Sequence, residues 1–330
     1  MNENYIVIIL YPLLLFLTTI ISKKLRFVDK PGLRKIHKQP TPNISGICLY
    51  LLLFYLISTN ETSYEVEIII AAGSMIILVG FLDDRKNLTP GVKFCFIAIP
   101  IIYLMINGFT LQNLGEYEKI GLLNLGKFSS IFTFLAVGLL VNSFNYIDGI
   151  DGLLIGITIT SISYFIFLIG DASNFLILFY YLIYGLVINL FFNFLTVKSG
   201  FKSFMGDAGS LFLGFLISFL MIFLFVYINI HPAYLIWAVW YPVFDFLFVS
   251  IYRLIKNKDI TGPDKNHFHH LILSYFNGNH IKTSILINVL NLIIIVIGYF
   301  FTLEFGKIYS LLLFTLLFIL FFILRKKLIY

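Results

Sequence analysis

The chain of 330 residues is 59% hydrophobic and 12% charged, against roughly 45–50% and 25% in ordinary soluble domains. That balance excludes a water-soluble globular enzyme and points to a chain solvated by lipid. The formal charge of +6 does not indicate a nucleic-acid binder, because the basic residues are scattered over loops between apolar stretches instead of forming one stripe.

Apolar runs approaching about 20 residues cross the hydrocarbon layer as helices, which satisfy their own backbone polar groups. The sequence predicts about eleven, over 5–22, 44–58, 66–82, 93–107, 129–147, 152–169, 175–193, 210–229, 233–254, 283–301 and 307–324. The first reads as a span and not a cleaved signal peptide, since its start carries Glu3 instead of a basic cluster and no small-residue cleavage site follows. Between the fourth and fifth runs, 108–128 with Gly108, Gly121 and Gly126 predicts a small hairpin. Cys48 and Cys95 fall inside apolar stretches, where an unpaired Cys acts as a small hydrophobe, and they offer no disulfide framework or metal spacing. Without a repeat or a linker, residues 1–330 read as a single polytopic membrane domain, all-α in class.

Cytoplasmic loops retain Lys and Arg. With the N-terminus outside and the C-terminus in the cytoplasm, all of the 23 basic residues face inward except Lys119, Lys127 and Lys307. The acidic run Glu61, Glu65 and Glu67 then faces outward. The charge is thus mostly a topology signal.

Ionisable groups at membrane depth are costly, so a cluster of them is a site hypothesis. Under this topology Asp83, Asp84, Asn142, Asn145, Asp148, Asp151, Asp207, His267, His269 and His270 all lie at or just beyond cytoplasmic helix ends. The first group, Gly80-Phe81-Leu82-Asp83-Asp84-Arg85-Lys86-Asn87, closes an apolar run and is followed by Lys93. Adjacent carboxylates repel, which suits them to a phosphate, a metal or a proton in transit, although an isolated pair also serves as a solvated helix cap. The second, Asn142-Ser143-Phe144-Asn145-Tyr146-Ile147-Asp148-Gly149-Ile150-Asp151-Gly152, spaces amides and carboxylates every three residues with glycines between, a ligand wall whether helical or broken. The third, Phe204-Met205-Gly206-Asp207-Ala208-Gly209-Ser210, puts an acid and small residues at a helix start, fit for capping or for anion and metal chemistry. In the fourth, Asp264-Lys265-Asn266-His267-Phe268-His269-His270, the imidazoles could ligate zinc, but the surrounding hard oxygen donors favour magnesium and leave the histidines for phosphate or sugar oxygens.

Together these segments resemble the polyprenyl-phosphate N-acetylhexosamine-1-phosphate transferases of glycosyltransferase family 4. A fifth, Asp29-Lys30-Pro31-Gly32-Leu33-Arg34-Lys35-Ile36-His37-Lys38-Gln39-Pro40-Thr41-Pro42, is similar to the bacterial lipid-linked GlcNAc-1-phosphate branch in particular. The resemblance runs from about residue 29 to residue 273 and implies the same eleven-span, N-out topology. It implies Asn145 and Asp207 as ligands of Mg²⁺, with Mn²⁺ as a substitute. Mg²⁺ usually takes one or two protein oxygens and fills its shell with substrate phosphate and water. The implied uracil site is Gly149 and Asp151 with Phe204 stacked on the base, beside Asn142 and Asp148. Asn87, Lys93, His267, His269 and His270 would contact phosphates or sugar, and Asp83 and Asp84 would be the acids next to the attacking lipid phosphate.

The implied reaction transfers N-acetylhexosamine 1-phosphate, GlcNAc-1-phosphate above all, from a UDP-sugar to undecaprenyl phosphate, releasing UMP at the cytoplasmic face of the plasma (inner) membrane. Catalysis of that kind is mainly alignment and charge neutralisation. The acids either keep the lipid phosphate deprotonated or form an aspartyl-phosphate. The sequence leaves that choice open, as it does the sugar epimer and the glycan served, O-antigen or teichoic acid among them. A homodimer is compatible with the resemblance. Three departures stand out: Asn87 occupies a position where the motif often has a third Asp, Lys265 stands where Arg is common, and Ser45 replaces a glycine. Arg34, Lys35 and His37 argue against the rival phospho-MurNAc-pentapeptide transferase branch. A nucleotide-sugar or lipid-linked sugar transporter would place its polar site near the midplane between repeats, which the one-sided polar residues do not match.

Overall fold

Backbone amides stranded in lipid must bond within their own segment, and the apolar runs accordingly fold as helices. The structure, a computed structural model, describes residues 5–29, 40–59, 64–170, 176–195, 200–257 and 267–329. The helices are α1 (Tyr5–Lys24), α2 (Ser45–Thr59), α3 (Tyr64–Lys86), α4 (Pro90–Ile106), α5 (Ser129–Ile147), α6 (Leu153–Ile169), α7 (Leu176–Phe194), α8 (Gly206–Val226), α9 (Pro232–Leu235), α10 (Trp240–Ile255), α11 (Phe268–Tyr275), α12 (His280–Phe305) and α13 (Lys307–Ile329). Among the described residues, 8 helical stretches are long and apolar enough to cross a membrane, and α2, α4 and α6 are shorter apolar helices. The protein is therefore an all-α, multi-pass membrane protein.

Helix α8 is the axis of the bundle. Its apolar window is 83% buried, with α2, α3 and α5 packed around it. Small residues allow that approach: a Cβ on Gly80 would stand 2.3 Å from the Cα of Ala208, and one on Gly46 would stand 2.1 Å from the Cα of Gly209. Without a hydrophobic driving force between helices in lipid, such close backbone packing is what holds them. The window of α13, by contrast, is only 6% buried.

The predicted run 233–254 is interrupted. Pro232 opens α9, whose N-cap His231 accepts the Ala233 N–H at 3.1 Å, and a 3₁₀ turn over Ile236–Val239 precedes α10. The break precedes Pro242, whose missing N–H costs nothing in the first turn of a helix, and α10 restarts two residues before it. Helix α8 begins four residues before the predicted 210, so Asp207 sits inside its first turn.

Strand content is limited to short antiparallel pairs. β1 (Val28–Asp29) pairs with β2 (Thr41–Pro42), and Asn43 then bridges to Phe204, tying the segment after α1 to the start of α8. β3 (Asn113–Tyr117) and β4 (Gly121–Asn124) form the hairpin expected within 108–128. It follows the C-terminus of α4, at the end of the bundle opposite Lys93 in the first turn of that helix.

Candidate active site

Helices α3 and α5 end where α4 and α8 begin, so Asp83, Asp84, Lys93, Asn145 and Asp207 meet at one end of the bundle. Lys93 is the hub. Its Nζ pairs with Asp83 Oδ2 at 2.6 Å, donates to Asn145 Oδ1 at 3.0 Å and lies 3.5 Å from Asp207 Oδ1. Asn145 Nδ2 donates to Asp207 Oδ1 at 2.6 Å and to Ser210 Oγ at 2.7 Å. Asp83 is buried, and its Oδ1 accepts the Leu88 N–H at 2.8 Å. A buried carboxylate with an ammonium and an amide donor satisfies both of its oxygens, which makes the burial affordable.

Asp84 faces the start of α8. Its Oδ1 accepts from Asp207 N at 3.2 Å and from Asn43 Nδ2 at 2.7 Å, and its Oδ2 accepts from Ala208 N at 3.3 Å. The carboxylate thus satisfies amides that the first turn leaves unpaired, supplied by a different helix. Gly206 makes room: a Cβ there would stand 2.7 Å from Asp84 Oδ2. A polar cavity of about 340 Å³ opens beside it, lined by Arg26, Asp29, Asn43, Asp84, Arg85 and Asn87 among others. Asn87 is exposed and holds a positive φ of 49° just past α3.

The loop between α5 and α6 supplies the next wall. Asp148 is exposed and within electrostatic reach of Asp207, Asp84, Asp151 and Asp29. Asp151 pairs through Oδ2 with Lys202 Nζ at 2.6 Å and with His280 Nδ1 at 3.2 Å. Burial works to raise this carboxyl, but the hydrogen bonds from His280 and Lys202 and the Lys202 charge outweigh it and hold Asp151 below the usual carboxylate value. The Lys202 ammonium also lies 5.4 Å from the ring centre of Phe204. Gly149 backs onto the histidines, since a Cβ there would stand 2.6 Å from His269 Nε2. Asn142, one turn before Asn145 on α5, donates through Nδ2 to Gly138 O of its own helix at 2.7 Å.

His267, His269 and His270 cap and open α11. His267 Nδ1 lies 2.8 Å from Asp245 Oδ2, and the Phe268 N–H donates to Asp245 Oδ1 at 2.8 Å. Arg325 also pairs with Asp245 Oδ1. Burial, and then the neighbouring His270, push the His269 imidazole well below its ordinary value, so it is neutral near pH 7. Tyr146, next to Asn145, packs its ring 5.4 Å from that of His267 and joins this cluster to the end of α5.

The sequence singles out neither Asp245 nor Arg325, nor Asn43, Lys202 and His280; Ser210 closes the third group there but is given no role. For Asp245 a signal was present, a lone carboxylate inside an apolar run. Arg34, Lys35 and His37 of the fifth segment, and Asp264, Lys265 and Asn266, lie outside the described residues.

Comparison with known proteins gives this arrangement relatives. Residues 66–225 match the model of glycosyl transferase family 4. An undecaprenyl-phosphate alpha-N-acetylglucosaminyl 1-phosphate transferase of Yersinia pestis is 30% identical over 281 residues, covering 83% of this chain and 77% of its own. The protein of the same name in Escherichia coli (strain K12) is 28% identical over 267 residues, with 79% and 73% covered. A Bacillus subtilis (strain 168) protein, provisionally assigned as an undecaprenyl-phosphate N-acetylglucosaminyl 1-phosphate transferase, is 30% identical over 304 residues, with 88% and 80% covered. At that identity over that much of both lengths, and with the motif residues gathered at one end of the helices, the chain belongs to glycosyl transferase family 4, in the branch of the undecaprenyl-phosphate N-acetylglucosaminyl 1-phosphate transferases.

Proposed function

We propose that this protein transfers N-acetylglucosamine 1-phosphate from UDP-N-acetylglucosamine to undecaprenyl phosphate, releasing UMP. The observation that carries the reading is the meeting of Asp83, Asp84, Lys93, Asn145 and Asp207, contributed by four helices, at one end of the bundle. A phosphoryl transfer needs little covalent chemistry from the protein; it needs fixed charges and an aligned acceptor.

The donor set fits Mg²⁺. Asp207 and Asn145 offer hard oxygens, Asp84 and Asp148 bring further carboxyl oxygens close by, and Lys93 already pairs with Asp83. When bound, the ion supplies charge neutralisation for the two phosphates of the UDP-sugar. Lys93 then steadies a phosphate oxygen while keeping Asn145 and Asp207 in place. Asp83 and Asp84 hold the acceptor side, where a deprotonated oxygen of the lipid phosphate attacks the sugar-bearing phosphorus and UMP departs. Asp151, Gly149 and Phe204 form the base site, with His269 and His270 beyond Gly149 on the side of the donor. The topology that suits this reading has about eleven crossings, the N-terminus outside and the site on the cytoplasmic side with most of the basic residues.

Mass spectrometry of the lipid formed by purified protein from a panel of UDP-sugars, undecaprenyl phosphate and Mg²⁺ tests the proposal. The expected product is undecaprenyl-pyrophosphoryl N-acetylglucosamine with stoichiometric UMP. Product from UDP-MurNAc-pentapeptide alone, or UDP-sugar uptake without UMP, would refute it. Asp207→Asn should abolish Mg²⁺-dependent turnover and leave folding intact.

A further inference from the structure

A buried carboxylate, Asp245 on α10, binds three groups from two other elements. It takes His267 Nδ1 on Oδ2, and the Phe268 N–H and the Arg325 guanidinium on Oδ1. Asp245 and His269 are fully buried, Arg325 is 1% exposed and His267 is 3% exposed. Arg325 comes from the last turns of α13, the helix that otherwise touches the bundle least. It is boxed by aromatic rings, 4.2 Å from the centre of Phe248 and 5.4 Å from that of Phe321.

Such a cluster stabilises poorly for its cost. A buried ion pair is often no better than apolar residues of the same shape, because desolvation offsets the attraction. Its geometry does something an apolar core could not. A carboxylate on Nδ1 fixes the imidazole as the Nδ1–H tautomer and locks the ring, so Nε2 becomes an acceptor of defined direction. Nε2 of His267 is buried and has no hydrogen-bond partner among the described residues, and neither nitrogen of the neighbouring His269 has one. Buried polar atoms are rarely left that way unless something else binds them.

Metal binding is the competing use, since ligand atoms of Asp245, His267 and His269 lie within 4.8 Å of one another. The Arg325 guanidinium argues against it. A fixed positive charge already bonded to the same carboxylate repels a cation, and it keeps Asp245 ionised without one.

We propose that Asp245 is a positioning residue for the transfer reaction. With Arg325 as its counter-charge, it holds His267 in one tautomer so that Nε2 accepts a hydrogen bond from a hydroxyl or amide N–H of the bound sugar nucleotide. The inference rests on the reading of this site as a sugar-phosphate transferase. It makes the polar end of α13 part of the machinery.

The test removes both charges together. Asp245→Asn with Arg325→Met leaves no unpaired buried charge, so a merely structural role predicts a folded, active enzyme. The positioning role predicts a folded enzyme whose kcat falls about 10²-fold, with KM for UDP-N-acetylglucosamine changed by less than about threefold, in line with losses at orienting groups beside a histidine. Arg325→Lys alone, which keeps Asp245 and its counter-charge, should retain most of the wild-type kcat. ¹⁵N-histidine NMR in nanodiscs, with His267→Gln for assignment, should find the wild-type His267 proton on Nδ1 and find that preference lost in the double variant. Wild-type kcat in the double variant, mixed tautomers at His267 in the wild type, or a zinc ion bound by His267 and His269 would each overturn the inference. The NMR readout needs no substrate, so it decides the matter even if the double variant does not fold or the wild type uses another donor.

Discussion

The carboxylate of Asp84, at the end of α3, accepts the backbone N–H of Asp207, 3.2 Å away at the start of α8. One acid therefore fixes where another is displayed. An anion at a helix N-terminus stabilises that helix through its unpaired amides and dipole, and here the same bond sets the height of Asp207 against Asn145 and Lys93.

Asp84→Ala should cost about 1 kcal/mol, the usual price of losing an N-terminal cap. It should also disperse the site, because Asp207 and Ala208 lose their acceptor together. The apparent melting temperature in detergent should drop by a few degrees, and UMP release should vanish. Asp84→Asn keeps one oxygen acceptor and should recover much of the stability, so thermal scans of the two variants separate the cap from the charge.

Lys93 stands where a cation would feel it, 3.5 Å from Asp207 Oδ1. Like charges repel, so the ammonium should weaken Mg²⁺ binding while helping to hold substrate phosphate. Lys93→Gln retains a donor for Asn145 and loses the charge. It should lower turnover by tenfold or more, yet reach half-saturation at less Mg²⁺ than the wild type. A Mg²⁺ titration of UMP release checks both, and a higher Mg²⁺ requirement would contradict the assignment of Asp207.

Much of this is legible in the amino-acid sequence. Apolar runs of membrane length read directly as helices, because lipid leaves the backbone no other choice. The site was visible for a related reason: Asp83, Asn145 and Asp207 sit at run ends on the same side, where charge near lipid demands a function. Pairings that depend on tertiary packing were not legible. Nothing in the sequence ties Arg325 to Asp245, 80 positions away, or Lys202 to Asp151. The break between α9 and α10 was hidden because a 3₁₀ turn and a helix carry the same apolar pattern over so few residues. Asn142, read as part of the ligand wall, bonds back to Gly138 O, the local satisfaction that a polar residue within a helix often finds.

The Asp151 carboxyl is held below the usual carboxylate value, against the pull of burial, by His280 and Lys202. A group whose pKa is lower folded than unfolded stabilises the fold above its unfolded pKa, and that contribution disappears as pH falls through the folded value. Wild-type protein should thus lose stability on acidification from pH 7 through the carboxylate range faster than Asp151→Asn. Melting temperatures of the two across that range provide the check; parallel curves would mean that the Lys202 and His280 contacts contribute no net stability.

Gly80 and Gly91 lie on either side of the acidic pair and differ in what surrounds them. A Cβ on Gly80 would meet the Cα of Ala208 at 2.3 Å, whereas one on Gly91 would meet nothing within 4 Å. Backbone cannot swing aside as a side chain can, so Gly80→Ala must push α3 from α8 by more than about 1 Å to restore van der Waals contact. Misplacement on that scale costs roughly 10²-fold in a reaction that depends on alignment. Gly80→Ala should accordingly lose about that much activity while remaining helical by circular dichroism. Gly91→Ala, in the first turn of α4 close to Lys93, should keep wild-type turnover. Equal activity in the two variants would show that the spacing of α3 and α8 does not govern the site.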